Sequence, residues 1–136
     1  MDAEEIDALI RRSEESFNLR DPDTMAAGWD PECEWHPFLT AEVEGGQGYR
    51  GHEGLRQWFS DLDEMFSEVS WHPVSVKDLG DDRYLILGAI KARGRSSGVE
   101  VETPIGQIIE LRDDLILRGW AYPSHEQAKL AAERGV

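Results

Sequence analysis

The sequence predicts an α+β fold: a cone-shaped, curved antiparallel sheet with helices packed on its concave face. Three observations predict it. Apolar residues recur at helical spacing through much of the first half of the chain. After residue 66 the period changes to two and holds through four consecutive segments. Those segments are joined by turn-like pairs, so they form a meander, and the helices that precede it must cover one of its faces. A strongly curved sheet closed by helices encloses a hollow, which becomes a ligand pocket where side chains do not fill it.

The elements follow in order. Ile6, Leu9, Ile10 and Phe17 form one stripe on a first helix over residues 3–18. Asp21-Pro22-Asp23 starts a short second helix, with a capping Asp and Pro at the first helical position, and Met25 and Trp29 inward. Residues 32–38 alternate and close on Pro37, which predicts a strand. Thr40 to Gly51 is a long glycine-rich loop, and Gly45-Gly46-Gln47-Gly48 within it is a flexible flap. Leu55, Trp58, Phe59, Leu62, Met65 and Phe66 define a helix from His52 to Phe66. Four strands follow: Val69–Asp78, Arg83–Arg95, Val99–Arg112 and Leu115–Tyr122. A last helix starts at Ser124, with Gln127 completing a capping box, and stops at Gly135.

The 136 residues make one domain, 1–136. With 28 acidic and 14 basic residues the formal charge is −14, which repels phosphate backbones and anionic lipid, so neither nucleic acid nor membrane is an expected partner. The single Cys33 excludes an intramolecular disulfide and a cysteine-rich zinc site, and no activating neighbour is evident for it in the sequence. No apolar run approaches the roughly 18 residues of a membrane span, and Met1-Asp2-Ala3-Glu4-Glu5 has the wrong charge for a signal peptide, so a cytoplasmic protein is expected. His36, His52, His72 and His125 fit no metal-binding spacing, and the glycine run lacks the Lys of a phosphate loop. No metal and no cofactor are expected.

Element order and local text together resemble the nuclear transport factor 2-like superfamily, and within it the SnoaL-like group. The matching stretches are Trp29-Asp30-Pro31-Glu32-Cys33-Glu34-Trp35-His36-Pro37, Tyr49-Arg50-Gly51-His52-Glu53-Gly54-Leu55-Arg56, Gly94-Arg95-Ser96-Ser97-Gly98-Val99-Glu100-Val101 and Glu110-Leu111-Arg112-Asp113-Asp114. The resemblance spans nearly the whole chain. It implies the cystatin-like α+β barrel and a homodimer formed through the side of the sheet opposite the helices. Function does not follow from it, because the superfamily holds isomerases, cyclases, dehydratases, epoxide hydrolases and inert members. Ketosteroid isomerase, one of its enzymes, has its base in an Asp before a Pro at the end of the first strand; the matching position is His36. Its oxyanion-binding Asp follows a Pro-Ile pair, where this chain has Gly106. Its first-helix Tyr has no counterpart, Ser13 being nearest. Steroid isomerisation by that mechanism is therefore not expected.

Alternation puts Glu34 and His36 on one face of the first strand and Cys33 and Trp35 on the other. The register that the resemblance implies turns Glu34 and His36 into the cone. There His36 is the candidate acid or base and Glu34 the group that orients it; a hydrogen-bonded structural His is the other possibility. Ser97-Gly98 suits a two-residue hairpin, which pairs Arg95 with Glu100, Arg93 with Glu102 and Ala89 with Gly106. Arg93 then either grips an anionic ligand group or supports the sheet. Val101, Ile105 and Ile109 fall on the face opposite Gly106, where their exposure would demand cover. Arg118, Trp120 and Tyr122 share one face of the last strand and line either the cavity or a subunit interface. Trp29, Tyr49, Trp58 and Phe59 pack the core or wall a pocket for a planar ligand.

Three functions fit these residues. The first is an isomerase, cyclase or hydratase-type enzyme acting on a hydrophobic, polyketide- or steroid-like substrate through His36. The second is non-catalytic binding of a small apolar molecule. The third is a dimeric interaction module with a filled core.

Overall fold

The computed structural model describes residues 1–38 and 48–135. Residues 40–47 of the expected loop, with the glycines at 45 and 46, lie outside the described residues, and its end at residues 49–51 is a short strand and a helix start instead. Helix α1 (Ala3–Asn18) opens on a reciprocal cap: Asp2 accepts the Glu5 N–H at 2.8 Å, and Glu5 accepts the Asp2 N–H at 3.3 Å. Helix α2 (Pro22–Ala26) begins as its sequence predicts, with Asp21 accepting the Thr24 N–H at 3.2 Å. Trp29, expected on that helix, instead opens strand β1 (Trp29–His36). A two-residue strand β2 (Tyr49–Arg50) leads into α3 (Gly51–Met65), which buries Leu55, Trp58, Phe59 and Leu62. Strands β3 (Phe66–Gly80), β4 (Arg83–Gly94), β5 (Glu100–Arg112) and β6 (Leu115–Tyr122) form the meander. Helix α4 (His125–Glu133) is capped by Ser124, which accepts the Gln127 N–H at 3.1 Å.

The six strands lie in the order β2-β1-β6-β5-β4-β3, in a curved, unclosed sheet. The sheet is mixed, because β1 runs parallel to β6 while every other pair is antiparallel. Local turn signals cannot reveal that pairing, since partners such as Glu34 and Arg118 are 84 residues apart. The β4–β5 register also differs from the expected one. Arg93 faces Glu100 and Leu87 faces Gly106, because residues 95–99 form a wider loop than a two-residue hairpin. The slip is two residues, so each side chain keeps its face.

Both faces of the sheet are covered: helices pack on its concave face as expected, and α4 packs on the convex one. On the concave side, α1, α2 and α3 enclose the main core, including Ile6, Leu9, Phe17, Trp58, Ile86, Ile105 and Ile109. On the convex side, α4 lays Ala128 and Ala131 over Leu85 and Ile108. Gly106 permits this approach: a Cβ there would stand 2.3 Å from the Ala128 Cβ. Ile105 and Ile109 therefore belong to the concave core, and of the three residues expected to need a partner's cover only Val101, 49% exposed, lies open.

Candidate functional site

A hollow lies between α1, α3 and the concave face. Its wall comprises Trp29, Trp35, Trp58 and Trp71 with Phe17, Phe38 and Pro37, a belt of isoleucines from α1, β4, β5 and β6, and Met25 and Ala121. Ser13 and Gln107 are its uncharged polar members, and no described lining residue is ionisable. The void is about 40 Å³. That holds a water or two, whereas a benzene needs a cavity of about 150 Å³.

The aromatic wall is built by the sequence in a definite way. Trp35 meets Trp29 edge to face at 5.7 Å and Trp58 at 5.2 Å, and Trp58 stacks on Phe17 at 5.4 Å. Gly119 faces Trp35 across the β1–β6 ladder and leaves room for its ring. Each of the four tryptophans is at least nine-tenths buried, and each carries a buried indole N–H with no acceptor among the described residues. Leaving such a donor unpaired costs about 1–3 kcal/mol.

The expected site residues separate into groups. Trp29 and Trp58 line the hollow. Phe59 packs behind them, edge-on to Trp58 at 5.4 Å, with the Arg20 guanidinium over its ring. Tyr49 is buried, and its hydroxyl donates to Asp61 at 2.6 Å. Ser13, the nearest match to the first-helix donor of the isomerase, does line the hollow.

Glu34 and His36 do not line it. Cys33 and Trp35 take the inward face of β1, so the expected orientation is reversed. The cause is simple: a thiol and an indole lose less on burial than a carboxylate and an imidazole. On the outer face Glu34 joins Arg50 at 3.0 Å and Arg118 at 3.2 Å, and Arg118 reaches Glu110 at 2.8 Å. The β4–β5 ladder sets Arg83 opposite Glu110, so charges alternate along one row across five strands. In the next row the His36 ring stacks on Trp120. Trp120 and Tyr122 pack against the cluster under α4, and burial pushes the Tyr122 phenol up, opposed by Arg83. Arg93 is at the far hairpin, bonded to Glu100 at 2.7 Å and to the Gly98 carbonyl at 3.2 Å, away from the hollow.

The other histidines hold main chain or neighbours: His52 meets the Trp29 carbonyl, His125 the Gly88 carbonyl and His72 the Ser70 hydroxyl. Among the described residues no group of three His, Cys, Asp or Glu is placed to hold a metal ion. Burial pushes the Cys33 thiol up to about 11. No described helix is long and apolar enough to cross a membrane. Sequence reasoning missed Trp71, Phe38 and Gln107 and put Trp35 on the wrong face. For Trp71 the signal was present, in the Val69/Trp71 alternation at the start of β3.

Comparison with known proteins agrees with this architecture. TerC, crystallised with polyporic acid, superposes with a TM-score of 0.77 at 19% identity, covering 95% of this chain and 98% of its own. A protein of ketosteroid isomerase-like fold from Catenulispora acidiphila, in complex with trimethylamine, gives 0.73 at 15% identity, covering 92% and 95%. A candidate polyketide cyclase from Xanthomonas campestris gives 0.74 at 14% identity, covering 95% and 97%. At these identities the likeness is one of fold. No curated protein matches the sequence. A family profile described as "SnoaL-like domain" matches residues 10–119, which takes in most of α1, the aromatic wall and the sheet through Gly119, and the chain belongs to that family.

Proposed function

We propose that the protein binds a small, planar, predominantly apolar molecule in the tryptophan-walled hollow. The orphaned indole donors carry this reading. A core that served packing alone would not gather into the wall of one void four tryptophans whose buried N–H groups have no acceptor among the described residues, because each weakens the fold. Polyketide cyclase-like neighbours add support for a small-molecule or cyclase-type role. The absence of an ionisable group among the described lining residues favours binding, or reaction by positioning, over acid–base turnover. The acid–base role expected of His36 has no geometric support, since its ring stacks on the other side of the sheet.

Admission of a ring requires lining side chains to move. Phe38, only partly buried, and Met25, unbranched and flexible, are the ones that yield most readily. A thermal-shift and calorimetric titration with two bicyclic probes, tetralin and 1-tetralone, tests the reading. A saturable rise in Tm is expected, absent in Ala121→Met, which fills the hollow while leaving the tryptophans in place. No shift with either probe up to its solubility limit, or a shift that survives Ala121→Met, overturns it.

A further inference from the structure

An apolar hollow leaves the polar part of its ligand undefined, and any assignment of that part rests on the hollow being a binding site. The four orphaned donors are not equivalent. Trp29, Trp35 and Trp58 form one chain of edge-to-face rings, so each is committed to packing against its neighbours. Trp71 belongs to no ring pair among the described residues, and its buried N–H has no acceptor among them.

The main chain of Trp71 is fixed more firmly than an edge strand ordinarily is. Strand β3 lies at the edge of the sheet, and the Asn18 carboxamide at the end of α1 bonds Trp71 twice. The Trp71 N–H donates to Asn18 Oδ1 at 2.8 Å, and Asn18 Nδ2 donates to the Trp71 carbonyl at 3.0 Å. The other edge of the residue faces Ile90 in β4. A main chain held from both sides narrows the range of positions open to the indole it carries, so less entropy is lost when that ring is ordered on binding.

We propose that the Trp71 indole N–H is the donor that selects an uncharged carbonyl or quinone oxygen on an aromatic ligand, with Asn18 as its positioning residue. The oxygen is uncharged because no cation among the described residues lines the hollow and the chain carries a formal charge of −14, so a carboxylate would be buried there without a counter-charge from them.

Affinities of 1-tetralone, tetralin and 1-naphthoate separate the possibilities. The wild type is expected to bind 1-tetralone about fivefold to tenfold tighter than tetralin, the ratio that one neutral hydrogen bond supplies. Naphthoate should bind more weakly than tetralone. In Trp71→Phe the ratio falls to about one while tetralin affinity persists, and in Asn18→Ala it falls part of the way. In ¹⁵N-labelled wild type, the Trp71 signal among the five indole resonances should move downfield with tetralone and stay in place with tetralin. That reading holds even if Trp71→Phe fails to fold. Equal affinity of tetralone and tetralin, an unchanged ratio in Trp71→Phe, movement of a different indole, or naphthoate as the tightest ligand each overturns this proposal and leaves the pocket standing. Binding of neither bicycle overturns the pocket, and the proposal with it.

Discussion

The rings of His36 and Trp120 lie parallel, 5.9 Å between centres and 8° between planes. They are neighbours in the β1–β6 ladder. Trp120 packs against the cluster beneath α4, so this pair belongs to the convex layer, behind the sheet from the tryptophan hollow. His36→Ala should therefore cost stability of about 0.5–1.5 kcal/mol through lost ring contact. Tetralone affinity should stay within twofold. A tenfold loss of affinity in a folded His36→Ala protein would place the imidazole in the binding machinery after all.

Asp30 is the one buried carboxylate of the described residues, and its environment makes stability depend on pH. It accepts the Glu32 N–H at 2.8 Å, which is the main cause of a pKa held below the ordinary 3.8; burial opposes, and Arg112 at 3.0 and 3.2 Å assists, with His52 adding a smaller attraction. A carboxyl acidified by folding stabilises the native state above its unfolded pKa. That contribution drains away as pH falls through the lower native value. Asp30→Asn should accordingly melt below the wild type at pH 7, and the gap should begin to narrow as the pH drops under about 3.8 and close only beneath the lower native value. Melting curves of both proteins between pH 2.5 and 7 decide it; a gap independent of pH would assign the loss to packing instead.

Two tight turns carry aspartates in the left-handed region. Asp81 and Asp82 have φ of 55° and 60°, and Asp113 and Asp114 have 52° and 65°. Positive φ at both central positions suits a hairpin turn, but glycine adopts it with less strain than an L side chain. Asp82 and Asp114 also share the surroundings of Tyr84, whose phenol is raised first by burial and then by Asp78, Asp82 and Asp114. Asp114→Gly should stabilise the protein by about 0.5–1 kcal/mol, read as a higher urea midpoint. Any part due to charge should shrink in 1 M salt. A lower midpoint would mean that the Asp114 carboxylate holds the turn through contacts of its own.

The helices were legible because their apolar stripes and caps are local. Asp21-Pro22 and Ser124 start α2 and α4 as their side-chain chemistry requires. The strands were legible as segments, but not as faces. In β4 and β5, Leu85 and Ile108 pack under α4 while their neighbours Ile86 and Ile109 pack under α1 and α3, so apolar residues occupy both parities. A sheet covered on both sides gives no alternation from which to choose an inside. In β1 the alternation was clear, and orienting it by resemblance put Glu34 and His36 inward. Orienting it by burial cost would have chosen Cys33 and Trp35. The hollow was expected from curvature, and two of its tryptophans from helical and core-like spacing. Its orphaned donors were not, because a hydrogen bond that is missing leaves no mark on a sequence.

Two glycines on opposite faces provide the sharpest check of this two-layer arrangement. Gly119 is the floor beneath the aromatic wall: a Cβ there would stand 2.9 Å from Trp35 Cε3 and 3.3 Å from Trp29 Cη2. Gly106 is the floor beneath α4, with the Ala128 Cβ at 2.3 Å. Neither has a positive φ, so the contact alone sets the outcome. Replacement of either by Ala overpacks its layer and should cost about 1–3 kcal/mol. Their effects on the hollow should differ. Gly119→Ala drives two indoles toward a void of about 40 Å³ and should weaken tetralone binding severalfold. Gly106→Ala lifts α4 on the far side and should leave affinity nearly unchanged at a comparable loss of Tm. Equal losses of affinity in the two variants would show that the layers do not act independently, and that the sheet transmits strain from α4 to the tryptophans.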